Sequence, residues 1–380
     1  MTQEIYQNLA EHLGDLPGGF PRTNSGVEFR ILERLFSPED AELALHLTLI
    51  PEKPRVIARR AKISADQASI RLERMAKKGL IYRHVTKGRP MKYGALQYLV
   101  GIWEYQMNNL NLELIKDMDE YLPILFDSAP WKKSPQLRVV PVGKSYTPQH
   151  EVMSYEKAEE LVRSQKKIAV RPCICRKEKS LIGESCGKPM DVCLVFGMGV
   201  ETQIINNMAR EIDLTETLGI LEIANQSGLV LQPSYSKEAL WLCCCCGCCC
   251  RAIEAYKRYP NPNSLVSSPF QASLAIDACN GCNVCLSRCQ MGALTLKQDK
   301  IYLDKTQCIG CGLCVSTCPT GALFLERKQA AGQHKIPKNY IKSLIKLGRV
   351  RGKLSNKRIL QLLLKSMVDR VFALKAIDSP

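Results

Sequence analysis

The chain has 380 residues, a net charge of +16 and 19 cysteines. That length suits two or three domains with cores of their own. No stretch approaches the ~20 apolar residues that span a bilayer, and the start, MTQEIYQNLAEHLGDLPGGF, lacks the basic-then-apolar pattern of a secretory leader. A reducing, cytoplasmic setting is therefore expected, in which clustered cysteines hold metal rather than disulfides.

Taken in chain order, residues 1–36 read as an N-terminal extension and 37–106 as a winged-helix-like domain. Ser37-Pro38-Glu39-Asp40 has the composition of a capped helix start. Leu43, Leu47 and Ile50 follow on one face. Arg55 to Ala61 predicts a second short helix and Ile63-Ser64 a turn. Ser64 then caps a third helix, Ala65 to Lys78, ended by Gly79, with Ala68, Leu72 and Met75 as its buried stripe. Tyr82 to Tyr93 predicts a two-stranded wing around Lys87-Gly88-Arg89-Pro90. The pattern resembles the helix-turn-helix modules of bacterial regulators. That resemblance implies bases read by Gln67, Ser69, Ile70, Arg71 and Arg74, and phosphates held by Arg83, Lys87, Arg89 and Lys92. Asp66 and Glu73 make the third helix mixed in charge, which favours protein docking over DNA binding.

Residues 107–166 read as a connector without evident chemistry. Asn111 to Leu122 predicts a helix, Leu137 to Val142 a strand and Tyr155 to Gln165 a second helix. A cysteine-rich module follows over 167–260. Cys173, Cys175, Cys186 and Cys193 are four thiols within about twenty residues, a set that suits one [4Fe–4S] cluster, with Arg176 and Lys177 placed to offset its charge. Next comes the run Cys243, Cys244, Cys245, Cys246, Gly247, Cys248, Cys249, Cys250. Adjacent side chains diverge along an extended chain, so these seven thiols cannot all face one cubane. A subset is expected to hold a further or unusual cluster. Gly197-Met198-Gly199 is only part of a dinucleotide-binding fingerprint. The histidines His12, His46, His84, His150 and His334 are scattered away from the cysteine runs, so mixed His/Cys ligation is not expected.

Residues 261–326 carry the strongest pattern. Cys279, Cys282, Cys285 and Cys289 stand at x2, x2 and x3 spacing, and Cys308, Cys311, Cys314 and Cys318 repeat it, followed by Pro319. This is the bacterial ferredoxin spacing, in which three thiolates wrap one cluster and the fourth reaches the other. Cys279, Cys282, Cys285 and Cys318 are thus expected on one [4Fe–4S] cluster, and Cys308, Cys311, Cys314 and Cys289 on the second. The segment resembles dicluster ferredoxin domains, including the turn-and-strand segments Gly292 to Leu296 and Gly321 to Leu325 with Lys300 to Leu303 between them. Gln290-Met291 stands where a proline follows the second motif.

The last segment, 327–380, holds fourteen Lys and Arg against Asp369 and Asp378, a net +12. Ile359, Leu363, Met367 and Val371, with their neighbours Leu360, Leu364, Val368 and Phe372, give a basic helix an apolar face suited to its own domain, a partner groove or a membrane surface. The order of parts, with the phrases IAVRPCICR, CLVFG, GLVLQPS and CQMGALTL, is similar to uncharacterised 4Fe–4S proteins of anaerobic bacteria. The resemblance implies electron transfer without naming a substrate.

The expectation is a multidomain α+β electron-transfer protein or oxidoreductase subunit, rather than a stand-alone enzyme, with two or more [4Fe–4S] clusters and an acidic redox protein as partner. Two alternatives stay open: a redox-sensing winged-helix transcription regulator that binds DNA, and a reductase with an unusual cluster at 243–250.

Overall fold

Capping chemistry sets the early helices. The Ser37 hydroxyl accepts the Asp40 N–H at 3.2 Å at the head of helix Pro38–Ala44. Ser64 and Gln67 form a reciprocal capping box at the head of Ala65–Lys77. Gly79 then takes a φ of 75° and turns the chain out of the helix. The computed structural model describes residues 2–86, 88–127, 129–145, 152–298, 300–329 and 333–375, which fold as two units.

The first unit gathers residues 1–131, 201–208 and 344–380. Within residues 1–36, Thr2–Asp15 and Val27–Leu35 are helices that contribute Leu9, Ile31 and Leu32 to the core. Helix Pro54–Ala61 packs on Ala65–Lys77, whose buried face is Ala68, Leu72, Met75 and Ala76. Strands β1 (Tyr82–His84) and β2 (Lys92–Gly94) form an antiparallel hairpin beside that helix.

Arg83 does not reach outward as a phosphate-binding residue would. It points inward, fully buried, with its guanidinium on Glu73 at 2.6 and 3.1 Å and on Asn206 Oδ1 at 2.8 Å. Arg74 and Lys78 are tied to buried Asp40. Gln67, Ser69 and Ile70 are exposed, as are Arg89 and the rim of the hairpin, while Lys87 lies outside the described residues.

Helix Asn356–Lys375 packs on Pro54–Ala61 through a seam of Ile359, Leu362, Ser366, Asp369 and Ala373. Asp369 pairs with Arg60 at 2.6 Å, and the Ser366 hydroxyl donates to buried Glu52 at 2.6 Å. Most of the apolar stripe therefore faces away: Leu360, Leu363, Leu364, Met367, Val368 and Val371 are exposed, while Phe372, also exposed, lies under the Arg59 guanidinium at 4.6 Å. Among the described residues, no helix is long and apolar enough to cross a membrane.

The second unit gathers 132–200 and 209–343. Its centre is a five-stranded antiparallel sheet of β3 (Ile168–Pro172), β4 (Asp191–Phe196), β5 (Arg210–Ile212), β6 (Val230–Pro233) and β7 (Trp241–Cys245), in the order β5-β3-β4-β7-β6. Residues 137–142 do not form the expected strand. They make isolated bridges from Leu137, Arg138 and Val140 to Ser234, Ser267 and Leu231, and Pro141 has no N–H with which to continue a ladder. Two further antiparallel pairs complete the unit: β8 (Phe270–Leu274) with β11 (Leu323–Arg327), and β9 (Leu294–Lys297) with β10 (Lys300–Leu303). The chain after β11 stays with this unit. Carbonyls of Lys335, Pro337 and Lys338 accept from Tyr235, Lys237 and Glu238, and Tyr340 stacks edge-on against Trp241.

Candidate metal centres

The two ferredoxin-type runs bring their thiols together in crossed sets. Cys285 is surrounded by Cys282, Cys318 and Cys279, and these four line one recess with Leu274, Ile301 and Leu323. Cys289 lies instead with Cys308, Cys311 and Cys314. The crossing has a local cause. Cys289 ends the short helix Val284–Arg288, and Cys318 comes after a turn, so each leaves its own loop before the next strand begins.

The donor set fits thiolate-held clusters. Ala272 N–H donates to Cys308 Sγ at 3.3 Å and Ala293 N–H to Cys289 Sγ at 3.2 Å. The N–H groups of Leu323 and Thr320, with the Thr320 hydroxyl, draw Cys318 down against the upward push of burial. Such donors stabilise charge on sulfur and favour the reduced state. The two sets differ in depth. Cys282 is exposed, whereas Cys308 and Cys314 are buried, and burial pushes Cys311 up to about 12. Lys328, itself held down to about 8 by burial, supplies a positive charge near Cys308.

The remaining cysteines sort by strand geometry. The end of β3, the start of β4 and the end of β7 meet at one end of the sheet, because neighbouring strands are antiparallel. Cys173 follows β3, Cys193 is buried near the start of β4, and Cys243 and Cys245 share one face of β7 by its two-residue period. Their thiols touch in sequence around a ring: Cys173 to Cys175, Cys175 to Cys250, Cys250 to Cys245, Cys245 to Cys243 and Cys243 to Cys193. Cys193 closes the ring electrostatically against Cys173.

Positive groups surround this ring. Arg171, across the β3–β4 pair from Cys193, donates from Nε to its sulfur at 3.4 Å. The Cys243 thiol, with Arg171 and Arg176, brings Cys193 down to about 5. Cys175 and Cys245, helped by the N–H groups of Ile253 and Ala252, hold Cys250 far below the ordinary thiol range. Cys173 and Cys250 each stand at the N-cap of a helix, Ile174–Leu181 and Arg251–Lys257, and these two helices are joined by the Arg251–Glu178 ion pair at 2.9 Å with Glu178 fully buried. Cys244 takes the opposite face of β7; burial pushes its thiol up, and its carbonyl accepts from Arg176 at 2.7 Å.

The four middle cysteines expected to share a cluster are divided. Cys173, Cys175 and Cys193 belong to the ring, but Cys186 joins Cys246, Cys248 and Cys249, with all four sulfurs within 4.8 Å of one another. Burial opposes ionisation of Cys186, yet the Lys188 N–H and the three neighbouring thiols bring it to about 7. Arg171, Gln232 (Nε2 3.8 Å from Cys250 Sγ) and the Arg251–Glu178 pair were not legible as site residues. Only the strand register and helix placement bring them to the sulfurs.

Gly247, inside the cysteine run, reaches the ferredoxin-type region. Its N–H donates to Gln290 Oε1 at 2.7 Å. Cys289 and Cys311 pack against the same apolar core as Cys243 to Cys246, Cys249 and Cys250. Residues 278–336 match the family model of a 4Fe-4S dicluster domain. No curated protein and no solved structure matches the chain. The dicluster match and the clustered cysteines make this an iron–sulfur protein with an electron-transfer role.

Proposed function

We propose that the chain relays single electrons between a separate redox partner and a buried thiolate centre, through two [4Fe–4S] clusters on the crossed cysteine sets. When bound, such clusters supply one-electron acceptors whose potentials follow charge, hydrogen bonding and burial. The protein's own residues do the rest. Cys282 and its neighbours present one set at the surface. The buried set, with the Ala272 and Ala293 N–H donors and Lys328, is biased toward the reduced state. The ring of Cys173, Cys175, Cys193, Cys243, Cys245 and Cys250 offers a further site, charge-compensated by Arg171 and Arg176.

The observation that carries this reading is the continuity of sulfur-bearing core from Cys289 and Cys311 to the ring. The +12 segment 327–380 supports an acidic partner. DNA reading draws less support, because Arg83 is buried against Glu73 and the partly exposed Arg74 and Lys78 are paired with Asp40. A reductase is the second reading: six thiols are two more than a cubane uses, which leaves sulfur or an open metal position for a substrate.

Anaerobic purification with iron and sulfide counting, followed by EPR-monitored redox titration, tests the proposal. More than eight irons per chain are expected, with at least two interacting one-electron centres. Cys318→Ser should remove the signal of the set holding Cys279, Cys282 and Cys285 and spare that of Cys308. Eight irons or fewer would remove the third centre, and the absence of any reversible reduction would remove the relay.

A further inference from the structure

Cys186, Cys246, Cys248 and Cys249 are packed unlike the other thiols. All four sulfurs lie within 4.8 Å of one another, and the Cys248–Cys249 pair is 3.8 Å apart. Among the described residues, no other set of three or more cysteine, histidine or carboxylate ligand atoms is this close. Neither ferredoxin-type set nor the ring holds three or more sulfurs this close together. Size decides what such a set can hold. Four thiolates about one zinc ion, at a Zn–S distance of about 2.3 Å, form a tetrahedron with edges of about 3.8 Å. A cubane carries its thiolates on four separate irons, which spreads the sulfurs to roughly 6 Å.

We infer that Cys186, Cys246, Cys248 and Cys249 form a closed, mononuclear tetrathiolate site for zinc. The surrounding residues are built for it. Gly247 makes the turn that lets Cys246, Cys248 and Cys249 converge, and a Cβ there would stand 2.4 Å from the Gln290 carbonyl oxygen. Lys257 Nζ donates to the Gly247 carbonyl at 2.8 Å, and Gln290 holds its N–H. Four thiolates on a divalent ion leave a net charge of −2, and the Arg176 guanidinium beside Cys246 offsets part of it. With four sulfurs and no open position, the site is structural and silent in redox chemistry. It ties the loop before β4 to the turn after β7.

The test uses the full chain, purified anaerobically with its native metals. Elemental analysis should find one zinc per chain besides iron, and zinc K-edge EXAFS should show four sulfur neighbours at about 2.3 Å. Cys186→Ser should lower zinc per chain and leave iron per chain unchanged. Cys248→Ser, at an exposed position, should do the same and covers the case in which the Cys186 variant fails to fold. Wild-type protein without zinc, zinc with nitrogen or oxygen neighbours, or loss of iron on either substitution would each overturn the inference.

Discussion

Cys244 and Cys245 are neighbours in sequence with opposite surroundings. Cys245 faces the ring and touches Cys243 and Cys250, while Cys244 points to the other side of β7. Cys245→Ser should therefore cost the iron held by the ring, whereas Cys244→Ser should keep it, as iron counting and EPR will report. Lys328 supplies a second residue-scale test. Its ammonium is buried near Cys308, and a positive charge there stabilises the extra electron. Lys328→Met should lower the potential of the buried set by tens of millivolts, where about 59 mV is a tenfold change in a one-electron equilibrium. The potential of the set that includes Cys282 should move much less. An unchanged potential would show that solvent, rather than Lys328, balances the charge.

At the scale of elements, the loops matter as much as the strands. Gly310 sits between Cys308 and Cys311 with a φ of 70°, and a Cβ there would stand 2.0 Å from the Phe270 carbonyl oxygen. Both the left-handed backbone and the backbone contact forbid a side chain. Gly310→Ala should destabilise the loop by roughly 1–3 kcal/mol and release iron from the buried set first under chelation, with the surface set retained. Gln290 explains why the first motif lacks the second motif's proline: the site after Cys289 is occupied by contacts to Gly247 through both its side chain and its carbonyl. The terminal helix shows the reverse of its apolar pattern. Seven large apolar residues stay exposed because polar partners on Pro54–Ala61 and Glu52 capture Ser366 and Asp369.

For the whole molecule, the basic segment divides at residue 343. Residues 327–343 are strapped to the second unit, and 344–380 belong to the first. A chain ended after residue 343 should therefore keep its iron. If the tail steers an acidic donor, electron transfer to the truncated chain should be slower at low ionic strength. It should converge with the full chain once salt shortens the Debye length, which is already about 8 Å at physiological strength. Stopped-flow reduction by an acidic ferredoxin or flavodoxin checks this, and equal rates at low salt would remove steering of those donors.

The doubled four-cysteine spacing leads to the expectation of crossed sets, because ligand order along a tight loop is a local property. Caps at Ser37 and Ser64 and the end of a helix at Gly79 were legible for the same reason. The fate of Cys186 was not. It stands among Cys173, Cys175 and Cys193 in sequence, yet the antiparallel pairing of β3 and β4 brings those three to one end of the sheet and leaves Cys186 in the loop between. Nor could composition tell which of seven clustered thiols face inward together. That depends on the two-residue period of β7, on the turn at Gly247 and on the strands and helices packed around them. Local spacing determined which cysteines can share a ferredoxin-type cluster; the register of distant strands decided how the other eleven divide, because only tertiary contacts set the distances between their sulfurs.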